Sequence, residues 1–150
     1  MNKYLAAFVI LALAIGGGYF FLSKKGTPPA PVATPQVAPA VVNIKASFEI
    51  FTKGTKRIFT DSRYHNLSPD VFIESASPDT VNVKKEGITW ADFFETLPME
   101  LSKDCLVTGT KQTFCTGEGG VLKFYINGQE DKDALDKEIK AGNSFLVKFE

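Results

Sequence analysis

Across 150 residues the chain has one histidine, His65, and two cysteines, Cys105 and Cys115. That scarcity excludes a good deal of chemistry. A closed zinc site takes four ligands, and two thiols with one remote imidazole do not supply them. A Ser-His-Asp set needs a nucleophile motif beside its base, and none accompanies His65. The Cys-x-x-Cys of thiol–disulfide exchange enzymes is absent, because nine residues stand between the two thiols. CTGEGG (115–120) has glycines but no Lys-Ser/Thr after them, so it is not a P-loop. No catalytic, cofactor-binding or metal-ligating residue is expected, and no cofactor.

Charge is missing from one long run. Residues 4–22 carry none, and as a helix they would extend about 28 Å, close to the roughly 30 Å hydrocarbon core of a bilayer. Gly16, Gly17 and Gly18 would weaken such a helix in water but are tolerated in lipid. A cleaved signal peptide is the rival reading. Its apolar region is usually shorter, about 7–15 residues, and Lys24 and Lys25 stand where a small-x-small site would be expected. No cysteine follows the run, which excludes lipoprotein processing. Residues 1–25 are therefore expected to be an uncleaved signal anchor, a single transmembrane helix. Lys3 on one side and Lys24 and Lys25 on the other leave the positive-inside rule nearly balanced.

Residues 26–42 hold five of the eight prolines and no charge. A stretch with so few large side chains cannot bury a core and reads as an extended linker, reaching roughly 50 Å as polyproline II. Residues 43–150 remain as the folded domain. All 17 acidic residues lie there, against 14 of the 17 basic ones, giving 14 − 17 = −3. A weakly acidic domain lacks the basic footprint that nucleic acid or an anionic lipid surface requires.

Within the domain, FEIFT and KRIF around Lys53-Gly54 read as a β-hairpin. SRYHNLSPD reads as a loop, and Val71-Phe72-Ile73 and Thr80-Val81-Asn82-Val83 as strands about the turn SASPD. Thr89 with Asp92 forms an imperfect capping box. It opens a short amphipathic helix of two to three turns with Trp90, Phe93, Phe94 and Leu97 on its apolar stripe, stopped by Pro98. Further strands follow at 105–107, 112–115, 121–126 and 144–149, with a strong turn at Asn127-Gly128. FEIFTKG (48–54) and LKFYING (122–128) echo one another. The order of strands, one helix and more strands is an α+β pattern with an antiparallel-rich sheet.

With these elements placed, a family likeness emerges. GITWADFFETL (87–97), VLKFYINGQE (121–130) and EIKAGNSFLVKF (138–149) resemble the C-terminal half of a β-grasp domain. They are similar to the transcobalamin-like C-terminal domain type. The chain also resembles a group of uncharacterised small membrane-anchored prokaryotic proteins, some of which carry a protein disulfide isomerase label. The likeness covers roughly 81–150 and implies a β-grasp-like sheet packed on one short helix. Such proteins often carry His-x-His pairs on the strands before the helix. Phe72, Glu74, Asn82 and Lys84 stand at those places here, so no metal role carries over.

The two cysteines are best accounted for as a strut. With Gly109-Thr110-Lys111 as the loop, Thr108 faces Gln112 and Cys105 faces Cys115 across a hairpin. Two buried free thiols, and a redox-active pair, are the other readings. A disulfide needs an oxidising compartment, which would place the domain outside the cell membrane. Core packing is favoured for Trp90 over cofactor stacking. The acidic run Glu130, Asp131, Asp133, Asp136 and Glu138 lacks EF-hand grammar and reads as solvated surface. The expected function is a non-enzymatic binding or interaction module. Its anchor holds it to the lipid bilayer, and it takes an extracytoplasmic protein or small ligand, with strand addition at sheet edges as one docking mode. An envelope thiol–disulfide oxidoreductase or redox sensor, and a small-molecule-binding domain, are the alternatives.

Overall fold

A computed structural model describes residues 41–150. The expected transmembrane helix and residues 26–40 of the expected linker lie outside the described residues. Among those described, no helix is long and apolar enough to cross a membrane.

The first strand, β1 (Val41–Thr52), takes up the last two residues of the expected linker and runs for 12 residues. Lys53 and Gly54 both have positive φ, at 50° and 76°, and turn the chain into β2 (Thr55–Lys56). Two such residues in a two-residue loop make the mirror-image turn whose twist suits a hairpin. The hairpin is shorter than the sequence suggests. After the Arg57 N–H bonds the Ile50 carbonyl at 2.8 Å, the chain leaves the ladder. Phe59 then turns into the core, 4.9 Å from the Phe48 ring, and its carbonyl meets His65 Nε2 at 2.8 Å in place of a cross-strand partner.

A 3-10 turn (Ser62–Tyr64) leads to β3 (Val71–Glu74), which pairs antiparallel with β4 (Ser77–Lys85). The helix α1 (Trp90–Glu95) starts at the expected capping box, with the Thr89 and Asp92 side chains each bonded to the other's backbone N–H. It is shorter than expected, since its last turn already tightens at Thr96 and Leu97 before Pro98. Short strands β5 (Glu100–Leu101), β6 (Cys105–Val107) and β7 (Thr113–Cys115) form a separate three-stranded sheet. Then β8 (Leu122–Ile126) turns at Asn127-Gly128 into β9 (Gln129–Glu130), and β10 (Ser144–Phe149) ends the chain. Asn127 and Gly128 have φ of 52° and 81°. The sequence echo between 48–54 and 122–128 thus corresponds to two hairpins with the same kind of turn.

The main sheet has the order β3-β4-β1-β10-β8-β9, with β2 also on β1. Its central pair, β1 and β10, is parallel, with Phe48 beside Phe145 and Ile50 beside Val147. Every other pairing between its strands is antiparallel, so the domain is a sheet-rich α+β structure. One sheet face carries Phe48 and Ile50 from β1, Phe145 and Val147 from β10, and Val81 and Val83 from β4, all buried. Against it lie Trp90, Phe93 and Phe94 of α1, also buried. Trp90 is stacked on Phe145 with ring centroids 4.4 Å apart, while Phe48 meets Phe93 and Phe94 edge-on. Trp90 is therefore a core residue.

Candidate functional site

Cys105 and Cys115 are directly opposed on β6 and β7 and joined by a disulfide, with their Cα atoms 4.2 Å apart. The Thr116 N–H bonds the Asp104 carbonyl and the Thr108 N–H bonds the Gln112 carbonyl. Ladder hydrogen bonds fall on alternate pairs, so Cys105 and Cys115 form a non-hydrogen-bonded pair. Such pairs bring opposed residues closest, about 4.5 Å between Cα atoms. Both half-buried cysteines are flanked by strand, and neither opens a helix.

The tip of this hairpin is the three-residue loop read from sequence, closed by Lys111 in the left-handed region at φ 64°. The Thr108 hydroxyl accepts from the Gln112 N–H and pairs with the Thr110 hydroxyl. Gly109 presses against Tyr64 and Pro98. A Cβ there would lie 3.2 Å from the Pro98 carbonyl oxygen and would meet the Tyr64 hydroxyl. Only glycine permits the hairpin to sit this close.

Between the tip and the main sheet lies a half-open cleft of about 220 Å³. Its apolar wall comes from Ile50, Ile58, Phe59, Met99 and Leu106, and Tyr64, Thr108 and Thr110 add hydroxyls. Ile58 is 71 % exposed and lines the cleft where the chain leaves the β2 ladder. Two cations line it and no carboxylate does.

The two cations differ in how they are held. Lys56 is neutralised, with Nζ 2.8 Å from Glu49 and 2.9 Å from Asp79. Those hydrogen bonds raise its pKa above the usual lysine value, Glu49 contributing most. Arg57 has only neutral partners among the described residues. Its Nε donates to the Thr52 hydroxyl at 2.6 Å and Nη1 to Gln112 Oε1 at 2.9 Å. Its Cζ lies 5.2 Å from the centre of the Phe114 ring. A guanidinium has five N–H donors, so several remain for another acceptor. Sequence reasoning placed Arg57 only as a strand residue. Its role at this cleft depends on long-range packing of β7 against the main sheet, for which no local pattern exists.

The other residues singled out in the sequence serve the fold. His65 bonds the Phe59 carbonyl. The acidic run gathers around lysine: Lys103 Nζ lies 2.7 Å from Asp133 and 2.8 Å from Asp136, Lys137 Nζ lies 3.9 Å from Asp131, and Glu138 accepts from the Gly87 N–H. Among the described residues no cluster of His, Cys, Asp or Glu is arranged to hold a metal ion. The CTGEGG stretch connects strand to strand with no helix after it.

No protein-family model matches the chain, and no curated protein or solved structure is significantly similar to it.

Proposed function

We propose that this domain is a non-enzymatic binding module, carried on the outer side of a cell membrane by its N-terminal anchor, and that it takes a small apolar ligand in the cleft between its two sheets. The observation that carries this reading is a cleft with apolar walls, one of which is pinned by a disulfide. A wall fixed before the ligand arrives lowers the ordering cost of binding. The lining contains hydroxyls and cations but no carboxylate, imidazole or thiol that would serve as a general base at neutral pH.

The parallel pairing of the first and last strands, with the helix on one face, supports a β-grasp-like assignment. Strand addition is the less favoured docking mode. The edge strand β3 is already bonded at the Ile73 carbonyl by the Asn66 N–H, and the opposite edge, β9, has only two residues.

Two measurements test the proposal. In intact cells, a membrane-impermeant maleimide should label the two cysteines only after strong reduction. Labelling after mild reduction would favour a redox enzyme, and none even after denaturation and reduction would place the domain in the cytoplasm. Titration of the full chain with hexanamide should move the methyl resonance of Met99 saturably. A linear, non-saturating drift with hexanamide and with hexanoate alike would mean that the cleft is not a binding site.

A further inference from the structure

The cleft's charge says more about its ligand than its walls do. Apolar lining alone would accept any short hydrocarbon. Arg57 also lines the cleft, and the partners of its guanidinium are a hydroxyl, an amide oxygen and an aromatic face. The neighbouring Lys56 shows the contrast, since the fold supplies it with two carboxylates of its own. A half-buried arginine without a counter-ion has its charge partly removed from water and not repaid, and an incoming anion would repay it. The geometry is also fixed in advance. Thr52 on β1 and Gln112 beside β7 hold Nε and Nη1 from opposite sides of the seam, so little side-chain entropy remains to be lost on binding.

Resting on the cleft as the ligand site, we propose that its ligand is a small carboxylate with a short apolar body, the carboxylate taken by Arg57 and the body lying along Ile58, Leu106 and Met99. The volume bounds the size. At about 220 Å³ the cleft falls below the roughly 300–1,000 Å³ of pockets that enclose drug-sized molecules. A free short-chain acid and the C-terminal apolar residue of a peptide share this chemistry.

The probe pair is hexanoate and its neutral isostere hexanamide, titrated into the full chain in phosphatidylcholine nanodiscs. Met99 and Leu106 methyl shifts report occupancy, and Trp90 fluorescence reports an intact core. Hexanoate should bind at least tenfold more tightly than hexanamide, as expected for a hydrogen bond to a charged group. Affinity should rise about fourfold per methylene from butanoate to hexanoate, as each further CH₂ is buried. Arg57→Gln should bring the two probes to parity, while Arg57→Lys should keep part of the preference. If Arg57→Gln loses the Trp90 signature of the folded core, Ile58→Glu serves instead. It sets a carboxylate at an exposed position of the cleft and should weaken hexanoate far more than hexanamide. Equal affinity of the two probes for the natural chain overturns the carboxylate assignment and leaves the cleft as a site for neutral ligands. Absence of saturable shifts with either probe overturns the cleft itself. A C-terminal tripeptide acid ending in leucine, binding more tightly than hexanoate where its amide does not, would assign the peptide source. Weaker binding would assign the free acid.

Discussion

Replacing Cys105 and Cys115 together by alanine removes the strut and leaves the rest of the hairpin in place. The bridge joins residues 10 apart in sequence. Closing a loop of that size takes from the unfolded chain an entropy worth about 2.8 kcal/mol at 25 °C. With roughly 110 residues folded and about 2.1 cal/mol/K of unfolding entropy per residue, the melting temperature should fall by about 12 °C. Thermal and urea unfolding, followed through near-ultraviolet circular dichroism of Trp90, read this directly, because the stack of Trp90 on Phe145 lies in the main core. The urea m-value should rise slightly, since the uncrosslinked chain exposes more surface when unfolded. The folded-state spectrum should be unchanged. A fall of less than about 4 °C, equivalent to about 1 kcal/mol, would refute the reasoning. It would mean that packing of Leu106 and Phe114 keeps these strands together in the unfolded ensemble as well.

Thr89→Ala removes the hydroxyl that accepts from the Asp92 N–H and leaves the Thr89 N–H on the Asp92 carboxylate, which should cost about 1 kcal/mol, or roughly 4 °C in melting temperature. Trp90→Ala, at a fully buried position, should cost about 3–5 kcal/mol, measured as a drop in urea midpoint. Asn82 is 2 % exposed and its Nδ2 has no hydrogen-bond partner. Asn82→Leu should therefore raise stability by about 1 kcal/mol, and a lower urea midpoint would show that the amide is satisfied in solution. The Lys103 cluster predicts a pH profile. Hydrogen bonding to Asp133, then Asp136, holds Lys103 above its ordinary 10.5, and hydrogen bonding to Lys103 holds Asp133 below its ordinary 3.8. Its contribution is thus complete between those ordinary values. It is lost as pH falls through the lowered Asp133 pKa, or rises through the raised Lys103 pKa. Lys103→Met should flatten both limbs of urea midpoint against pH.

Local chemistry made much of this fold readable. Lys53-Gly54 and Asn127-Gly128 are turns because two adjacent residues there adopt positive φ. Thr89 and Asp92 start the helix and Pro98 stops it within two turns. The spacing from Cys105 to Cys115 places both on one register pair around a three-residue tip. Each of these features is written within about a dozen residues. The parallel pairing of Ser47 with Ser144 is not, since its partners are nearly a hundred residues apart and each strand alone looks like any half-buried strand. The early exit of Ile58 and Phe59 from the first hairpin was equally hidden. Their alternation fits a strand, and only the fit of Phe59 against Phe48 and the bond from His65 to the Phe59 carbonyl take them away from it.

The cleft lies at the place where those two kinds of information meet. Strands of two and three residues do not make a stable sheet by themselves, so β5, β6 and β7 depend on their contacts with the main sheet, and the disulfide adds to their stability. Arg57 supplies part of those contacts, reaching from Thr52 to Gln112 and across Phe114, whose ring lies 5.4 Å from Phe149 on β10. All of these partners are neutral, so the side chain that joins the two sheets carries its charge without a carboxylate beside it. The residue that docks the small sheet therefore also lines the cleft. The cleft at this seam follows from how the two sheets are joined, and the disulfide between Cys105 and Cys115 fixes one wall of it.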